Sequence, residues 1–153
     1  MGSVQRSLLL AVLLSAVSGC ATPGSYRPDL PWEFNAPRAD GYAIDLVDVK
    51  PAPGTSLAAG NSVDFLATVK YSLSITKRGR IFLIFEDGND HVINPKRTMV
   101  IQQVSSPSGE VTLTGKITVP TYAKELRLFI PLDPQGFSHT TGEVTIRYPI
   151  VRR

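Results

Sequence analysis

The chain has 153 residues, the size of one domain at roughly 100–200 residues per domain. Apolar residues make up 42% of it and charged residues 19%, a balance that excludes an intrinsically disordered protein. The single cysteine excludes an intramolecular disulfide framework and every zinc site built on several thiolates. A net charge of +3 is too small for a nucleic-acid-binding protein, so no nucleic-acid partner is expected.

The N-terminus has the pattern of a secretory signal. A polar start with one side-chain cation, Arg6, precedes an uncharged apolar run over residues 8–17. That run is too short to span ~30 Å of hydrocarbon as a stable anchor, which takes ~20 residues. The pattern therefore predicts a signal peptide over residues 1–19 that is removed from the mature chain.

The signal ends in a specific motif. Val17-Ser18-Gly19-Cys20 resembles the lipobox of bacterial lipoprotein precursors, in which an aliphatic residue and two small residues precede a cysteine. The resemblance implies that the lipoprotein signal peptidase recognises Val17, Ser18 and Gly19. It also implies that Cys20 becomes the N-terminus and carries diacylglyceryl and a further acyl chain such as palmitate.

Ordinary signal cleavage is the alternative, and it would leave Cys20 as a bare thiol. An unpaired thiol in an exported protein is reactive, which favours lipidation. Each CH₂ group of an acyl chain that enters the bilayer stabilises membrane binding by about 0.8 kcal/mol, so two or three acyl chains would anchor the protein permanently. Ala21 stands where an Asp would favour inner-membrane retention in Gram-negative lipoproteins. By that resemblance the protein is expected at the outer membrane, on its periplasmic face or at the cell surface.

Residues 20–41 are predicted to form a tether. They contain Pro23, Pro28, Pro31 and Pro37 and no apolar periodicity, which favours an extended segment that is neither helical nor paired in a sheet. Trp32 and Phe34 interrupt this polar segment. Either they fold back and cap an edge or an end of the domain, or they are aromatic anchors for a protein partner in the envelope.

Residues 42–153 are predicted to form one all-β domain, because apolar residues recur there with a period of two. The run at 80–85 is apolar on both faces, which predicts a central strand covered on two sides. Turn signals rich in Gly, Pro, Asn and Asp separate the runs. The predicted strands cover residues 42–49, 63–73, 80–85, 98–104 (a weaker pattern), 111–119, 126–130 and 144–150.

Strands of this number and spacing match an antiparallel two-sheet sandwich of seven to eight strands. The domain resembles the immunoglobulin-like and fibronectin type III-like modules of bacterial envelope lipoproteins. The Cys-Trp-Cys hallmark of antibody domains is absent. The resemblance implies that Tyr122 is a candidate tyrosine corner. A transthyretin-like or jelly-roll sandwich is the alternative topology.

No residue pattern indicates catalysis, and no metal or cofactor is expected. Asp133, Ser138 and His139 share one loop, but neighbouring side chains on an extended segment point apart and nothing supplies an oxyanion hole. His91 and His139 lack the spacing of a zinc site. Residues 86–90 offer oxygen ligands that suit calcium, yet they depart from the EF-hand pattern, and a hairpin turn at Asp87-Gly88 is the simpler interpretation.

The sequence thus favours a non-enzymatic, lipid-anchored envelope lipoprotein whose sandwich binds a protein partner. The alternative is a lipoprotein that binds a small ligand or glycan in a pocket lined by aromatic residues such as Trp32, Phe34, Phe82 and Tyr148. An enzyme, the third hypothesis, would require several polar groups with perturbed pKa values in one cleft.

Overall fold

A computed structural model of the chain describes residues 41–137 and 141–152, and the backbone alone of residues 32–34. The predicted signal peptide (residues 1–19), Cys20 and most of the tether lie outside the described residues. The described part contains nine β-strands and one short helix. These elements are β1 Trp32–Phe34, β2 Ala43–Lys50, β3 Leu57–Ala58, β4 Ser62–Ser72, β5 Gly79–Asp87, α1 Pro95–Thr98, β6 Val100–Val104, β7 Ser108–Thr118, β8 Glu125–Pro134 and β9 Gly142–Val151.

The strands form two sheets that enclose one core. The large sheet has the order β1-β9-β8-β5-β6, with β3 also pairing with β9, and the small sheet has the order β2-β4-β7. The pairing of β3 with β9 is parallel, and the other pairings among the described strands are antiparallel. The predicted all-β, immunoglobulin-like sandwich is therefore confirmed. It has more strands than predicted because the short strands β1 and β3 both join the edge of β9.

Alternation of side chains explains why the long strands form. In β4, Phe65, Ala67 and Val69 are fully buried, Leu66 and Thr68 between them are half-buried, and Asp64 and Lys70 on either side are exposed. Burying one face of such a strand stabilises it by about 25 cal/mol per Å² of apolar surface. The same period fixes the register of β4 with β7, since a shift of one residue would turn every core side chain towards solvent.

The weak strand pattern at 98–104 corresponds to two elements. The helix α1 occupies Pro95–Thr98 and β6 begins only at Val100. Asn94 adopts a positive φ of 48° before Pro95, whose fixed φ suits the first turn of a helix. The Thr98 hydroxyl donates a hydrogen bond of 2.6 Å to the Ile93 carbonyl oxygen. This local bonding holds Thr98 in the helical turn and out of the strand.

The tether pairs with the sheet in one place where no pairing was predicted. Residues Trp32–Phe34 form β1, with Trp32 opposite Ile146 and Phe34 opposite Val144 on β9. The prediction that residues 20–41 make no sheet pairing is therefore wrong for these three residues. Backbone groups alone form such a ladder, so the prolines on either side of β1 did not prevent it.

One further finding concerns the candidate tyrosine corner, and another concerns membrane-spanning helices. Tyr122 is 66% exposed, so it does not form the buried tyrosine corner suggested by the resemblance. In the described part of the chain, no helix has the length and apolar character needed to cross a bilayer.

The core is centred on three aromatic rings and one glycine. Phe65 packs edge to face on Phe85 and on Tyr148, with ring centroids 5.2 Å apart in both pairs. Gly115 lies opposite Phe65 on β7. A Cβ atom added at Gly115 would lie 2.8 Å from Leu83 Cδ2 and 3.0 Å from the Phe85 ring. The core therefore requires a residue without a side chain at this position.

We expect Gly115→Ala to lower the free energy of unfolding by about 1–3 kcal/mol, because the added methyl group overpacks two fully buried side chains. Gly88→Ala is the matched control, since a Cβ atom there meets only Glu125 Cβ, at 3.6 Å. Urea unfolding of both variants measures the difference. A Gly115→Ala variant as stable as the Gly88→Ala variant would contradict this account of the core.

Candidate functional site

The outer face of the large sheet carries an apolar patch, which we define as Phe82, Ile84, Ile101 and Phe129. Phe82 lies opposite Ile101, and Ile84 lies opposite Phe129. Ile101 is 48% exposed, and the other three side chains are half-buried. These side chains alternate with core residues of β5, β6 and β8, so they point away from the core.

The patch corrects one expectation about β5. The run at 80–85 is apolar on both faces, and it was predicted to be covered on both. The inner face, with Ile81, Leu83 and Phe85, is fully buried in the core. No further sheet packs on the outer face within the described residues. Within the described residues, the second apolar face of β5 therefore has no covering sheet.

Charged pairs border the patch at both ends. At one end, Arg80 donates two hydrogen bonds to Asp133 Oδ2, and its guanidinium carbon lies 5.4 Å from the centroid of the Phe82 ring. At the other end, Arg127 pairs with Glu86 at 3.6 Å and also with Asp90. An apolar centre with a charged and polar rim is the usual arrangement of a protein interface.

Glu86 and Arg127 form the more buried of these pairs, since their side chains are 10% and 14% exposed. Burial raises the pKa of Glu86, the positive charge of Arg127 lowers it, and the nearby Glu143 and Asp87 raise it. Arg127 Nε is buried and has no hydrogen-bond partner among the described residues. Burial outweighs the attraction of Arg127, so the pKa of Glu86 is raised overall.

Residues 86–90 comprise the last two residues of β5 and the turn that follows it. Asp87 Oδ1 accepts hydrogen bonds from the backbone N–H groups of Asn89, at 2.9 Å, and of His91, at 3.0 Å. These bonds lower the pKa of Asp87 because they stabilise the carboxylate. Within the described residues, no group of three or more His, Cys, Asp or Glu side chains is placed to hold a metal ion.

A cleft of about 600 Å³ lies beside Arg80, where the first residues of β5 meet the turn that follows β8. Its polar lining includes Asp133, which is already bonded to Arg80. Ser138 and His139, the other members of the rejected catalytic set, lie outside the described residues. The cleft is lined by Arg78, Gly79, Arg80, Gln103, Val104, Ser105, Asp133, Pro134, Gln135, Gly136 and Phe137.

The aromatic pocket considered from the sequence does not form between Phe82 and Tyr148. Tyr148 is fully buried in the core, and its hydroxyl donates a 2.9 Å hydrogen bond to the Pro51 carbonyl oxygen. Phe82 belongs to the patch on the opposite face of the sheet. The side chains of Trp32 and Phe34 lie outside the described residues, as do Val17, Ser18, Gly19 and Cys20.

Sequence reasoning did not single out Ile101 and Phe129 as members of a site. A usable signal was present, because Phe129 occupies an outward position between Leu128 and Ile130 where a polar residue would be expected. Ile101 carries a similar signal in β6, but the register with Phe82 was needed to place it beside that ring.

Comparison with known proteins does not assign this chain to a family. No protein-family model matches the chain, and no curated protein matches it.

Solved structures that resemble it include a CARDB domain from Pyrococcus furiosus, described as a complex with di-metal ions. It has a TM-score of 0.48 and 13% identity, with 73% of this chain and 90% of that one covered. A glycosyl hydrolase family 2 member from Bacteroides cellulosilyticus DSM 14838 has a TM-score of 0.46 and 12% identity, with 78% of this chain covered. A beta-glucosidase from Listeria innocua has a TM-score of 0.40 and 13% identity, with 71% of this chain covered. The chain spans only 15% and 16% of those two enzymes, and TM-scores below 0.5 carry no argument about function.

The lowered pKa of Asp87 leads to a prediction about how the stability of the fold depends on pH. A carboxylate whose pKa falls on folding contributes stability above its unfolded value of 3.8, and that stability is lost as the pH falls through the folded value. We expect Asp87→Asn to lower Tm at neutral pH and the difference from wild type to shrink as the pH falls below 3.8. Asp48→Asn, an exposed change on β2, is the control. A difference in Tm that stays constant across this range would contradict the assignment.

Proposed function

We propose that this protein is a non-enzymatic, lipid-anchored envelope lipoprotein that binds a protein partner with the outer face of its large sheet. The apolar patch is the observation that carries the proposal. Phe82, Ile84, Ile101 and Phe129 form a contiguous surface of the kind that supplies the anchoring side chains of interfaces. The partner would complete the second covering layer that the run at 80–85 leads one to expect.

The borders of the patch support a protein partner over a lipid surface. Both ends carry paired charges of opposite sign, Arg80 with Asp133 and Arg127 with Glu86. Such pairs give a partner directional contacts at the rim, and they set register and association rate more than affinity. A membrane surface would instead favour an excess of cations, which the patch does not have.

The anchor in this proposal is Cys20. Its supports are the lipobox resemblance of Val17, Ser18 and Gly19, and the position of the chain's single cysteine. Because β1 pairs with β9, residues 21–31 lie between Cys20 and the sheet in the sequence, and an extended segment of that length would reach roughly 35 Å at ~3.1 Å per residue. The domain would therefore stay close to the outer membrane, on the periplasmic face or at the cell surface.

The cleft beside Arg80 favours a second candidate, a lipoprotein that binds a small ligand or glycan. Its amide, guanidinium and carboxylate groups are suited to hydrogen bonding with hydroxyl groups, and Phe137 is 37% exposed at its edge. The patch remains the stronger support, because the described residues that line the cleft include a single partly exposed aromatic ring to hold a sugar face.

The patch is tested by crosslinking the protein in envelope preparations. We expect a defined crosslinked partner with the wild type, and its loss in Ile101→Asp, because a charge in the apolar centre costs about 1–2 kcal/mol of binding, roughly tenfold in affinity. Val47→Asp is the matched control, since Val47 is also 48% exposed but lies on β2 of the small sheet. Equal loss with both variants, or no crosslinked partner at all, would contradict the proposal.

The anchor is tested by mass spectrometry of protein purified from its native cell. We expect a mature form that begins at Cys20 and carries acyl chains, and we expect Cys20→Ser to keep the leader and lose the acyl mass. Cleavage at Cys20 without added acyl mass would contradict lipidation, and it would leave the test of the patch unaffected.

A further inference from the structure

The edges of the two sheets are protected unequally. The edge of β9 is covered by β1 at one end and by β3 at the other. The edge strand β6 is only 5 residues long. The edge strand β2 has a bulge between Leu46 and Asp48, and it carries the charges of Asp45 and Lys50. Short length, bulges and charges are the devices by which natural proteins prevent edge strands from pairing with other chains.

The edge strand β7 lacks most of these devices. It is 11 residues long, contains no proline and pairs with β4 without a register shift from Ser108 to Thr118. Within the described residues, no strand pairs with its other side. A long, regular, open edge of this kind is a template for adding another strand.

The direction of the backbone groups of β7 follows from two hydrogen bonds at its ends. The Val119 N–H donates to the Asn61 carbonyl oxygen at 2.8 Å, and the Pro107 carbonyl oxygen accepts from the Leu73 N–H at 2.6 Å. Because this direction alternates along a strand, the odd-numbered residues of β7 bond to β4 and the even-numbered residues point outward. Six residues therefore offer their N–H and C=O groups at the edge: Ser108, Glu110, Thr112, Thr114, Lys116 and Thr118.

The charges on β7 are complementary to those of a second copy of β7. In an antiparallel pair centred on Leu113, Glu110 of each copy lies opposite Lys116 of the other, and Thr112 lies opposite Thr114. Shifting the centre by one residue places Glu110 opposite Thr114 or Thr118, so the charges match only in the register centred on Leu113. In that register the six even-numbered residues of each copy pair with one another, and these outward-pointing pairs allow about twelve backbone hydrogen bonds.

The same register continues the charge pattern of the small sheet. Asp45 lies opposite Lys70, and Lys70 lies opposite Glu110. Lys116 lies opposite Asp64, with Nζ 3.5 Å from Oδ1. Across the joined sheet, the row Asp45, Lys70, Glu110 is continued by Lys116 and Asp64 of the second copy, so charges of opposite sign alternate along it. Opposite charges in facing strands stabilise their pairing.

We propose that this protein forms a two-fold symmetric homodimer in which β7 pairs antiparallel with β7 of a second copy, centred on Leu113. The two small sheets then form one continuous six-stranded sheet. The inference goes beyond the proposed function, because edge pairing needs neither an acyl chain nor the apolar patch. A two-fold axis perpendicular to the shared sheet keeps both large sheets on one side, so both patches face the same way.

The dimer is tested by sedimentation equilibrium of the full mature chain in density-matched detergent. We expect a dimer that Glu110→Lys and Lys116→Glu each weaken at least tenfold, because either change places two pairs of like charges across the symmetric interface. The double exchange E110K/K116E restores the pairing between copies. Asp45→Lys is the matched control, since it makes the same charge change opposite the same Lys70 on the far edge, and it leaves the dimer intact.

Thr114→Pro gives a second, backbone test. The Thr114 N–H points away from β4, so proline removes an outward donor and keeps the intramolecular ladder. We expect a folded monomer, checked by its melting temperature. A wild-type monomer, equal weakening by Glu110→Lys and Asp45→Lys, or a double exchange that stays monomeric while folded would each overturn the proposal. None of these outcomes bears on acylation of Cys20 or on the patch.

Discussion

The contact of Phe65, Phe85 and Tyr148 beneath Gly115 joins the two sheets, and the remaining structure depends on it. Phe65 belongs to the small sheet, whereas Phe85 and Tyr148 belong to β5 and β9 of the large one, the two strands that flank β8. The rings fit only because β7 has a glycine at the facing position. With β5 and β7 fixed in this way, the outward residues of both strands are fixed too. The apolar patch on β5 and the open edge of β7 are therefore positioned by the same core contact.

Two of the buried tyrosines, Tyr42 and Tyr148, show how the core treats polar groups. The Tyr148 hydroxyl bonds to the Pro51 carbonyl oxygen across 97 residues of chain, and burial raises its pKa, so it remains a neutral donor. The Tyr42 hydroxyl is also buried, but it has no hydrogen-bond partner among the described residues, and its ring packs on Phe137. A satisfied buried hydroxyl contributes about 1 kcal/mol, whereas an unsatisfied one costs about 1–3 kcal/mol. Tyr148 therefore ties the β2–β3 connection to β9, and Tyr42 holds its loop through its ring contact with Phe137.

The sequence predicted the long strands because period-two burial is a property of single strands. It missed β1 and β3, which pair with β9 over two or three residues through backbone groups that carry no side-chain pattern. It predicted a covered β5 because an apolar run looks the same whether its second face meets another layer or remains a surface. It placed Phe82 and Tyr148 in one pocket because the face of the sheet on which each lies depends on register. Cys20 and the tether anchors Trp32 and Phe34 remain predictions.

The outer surface separates two kinds of contact that a single sandwich can make. The patch on the large sheet presents side chains, so its specificity depends on shape and on the charged pairs Arg80–Asp133 and Glu86–Arg127. The edge of β7 presents backbone groups, which any extended strand can bond, so its specificity must come from the charges of Glu110 and Lys116. Because these two surfaces belong to different sheets, occupation of one leaves the other accessible. A dimer joined through β7 would present two copies of the patch on the same side, and a partner with two matching sites would then gain affinity from its second contact without any new interface.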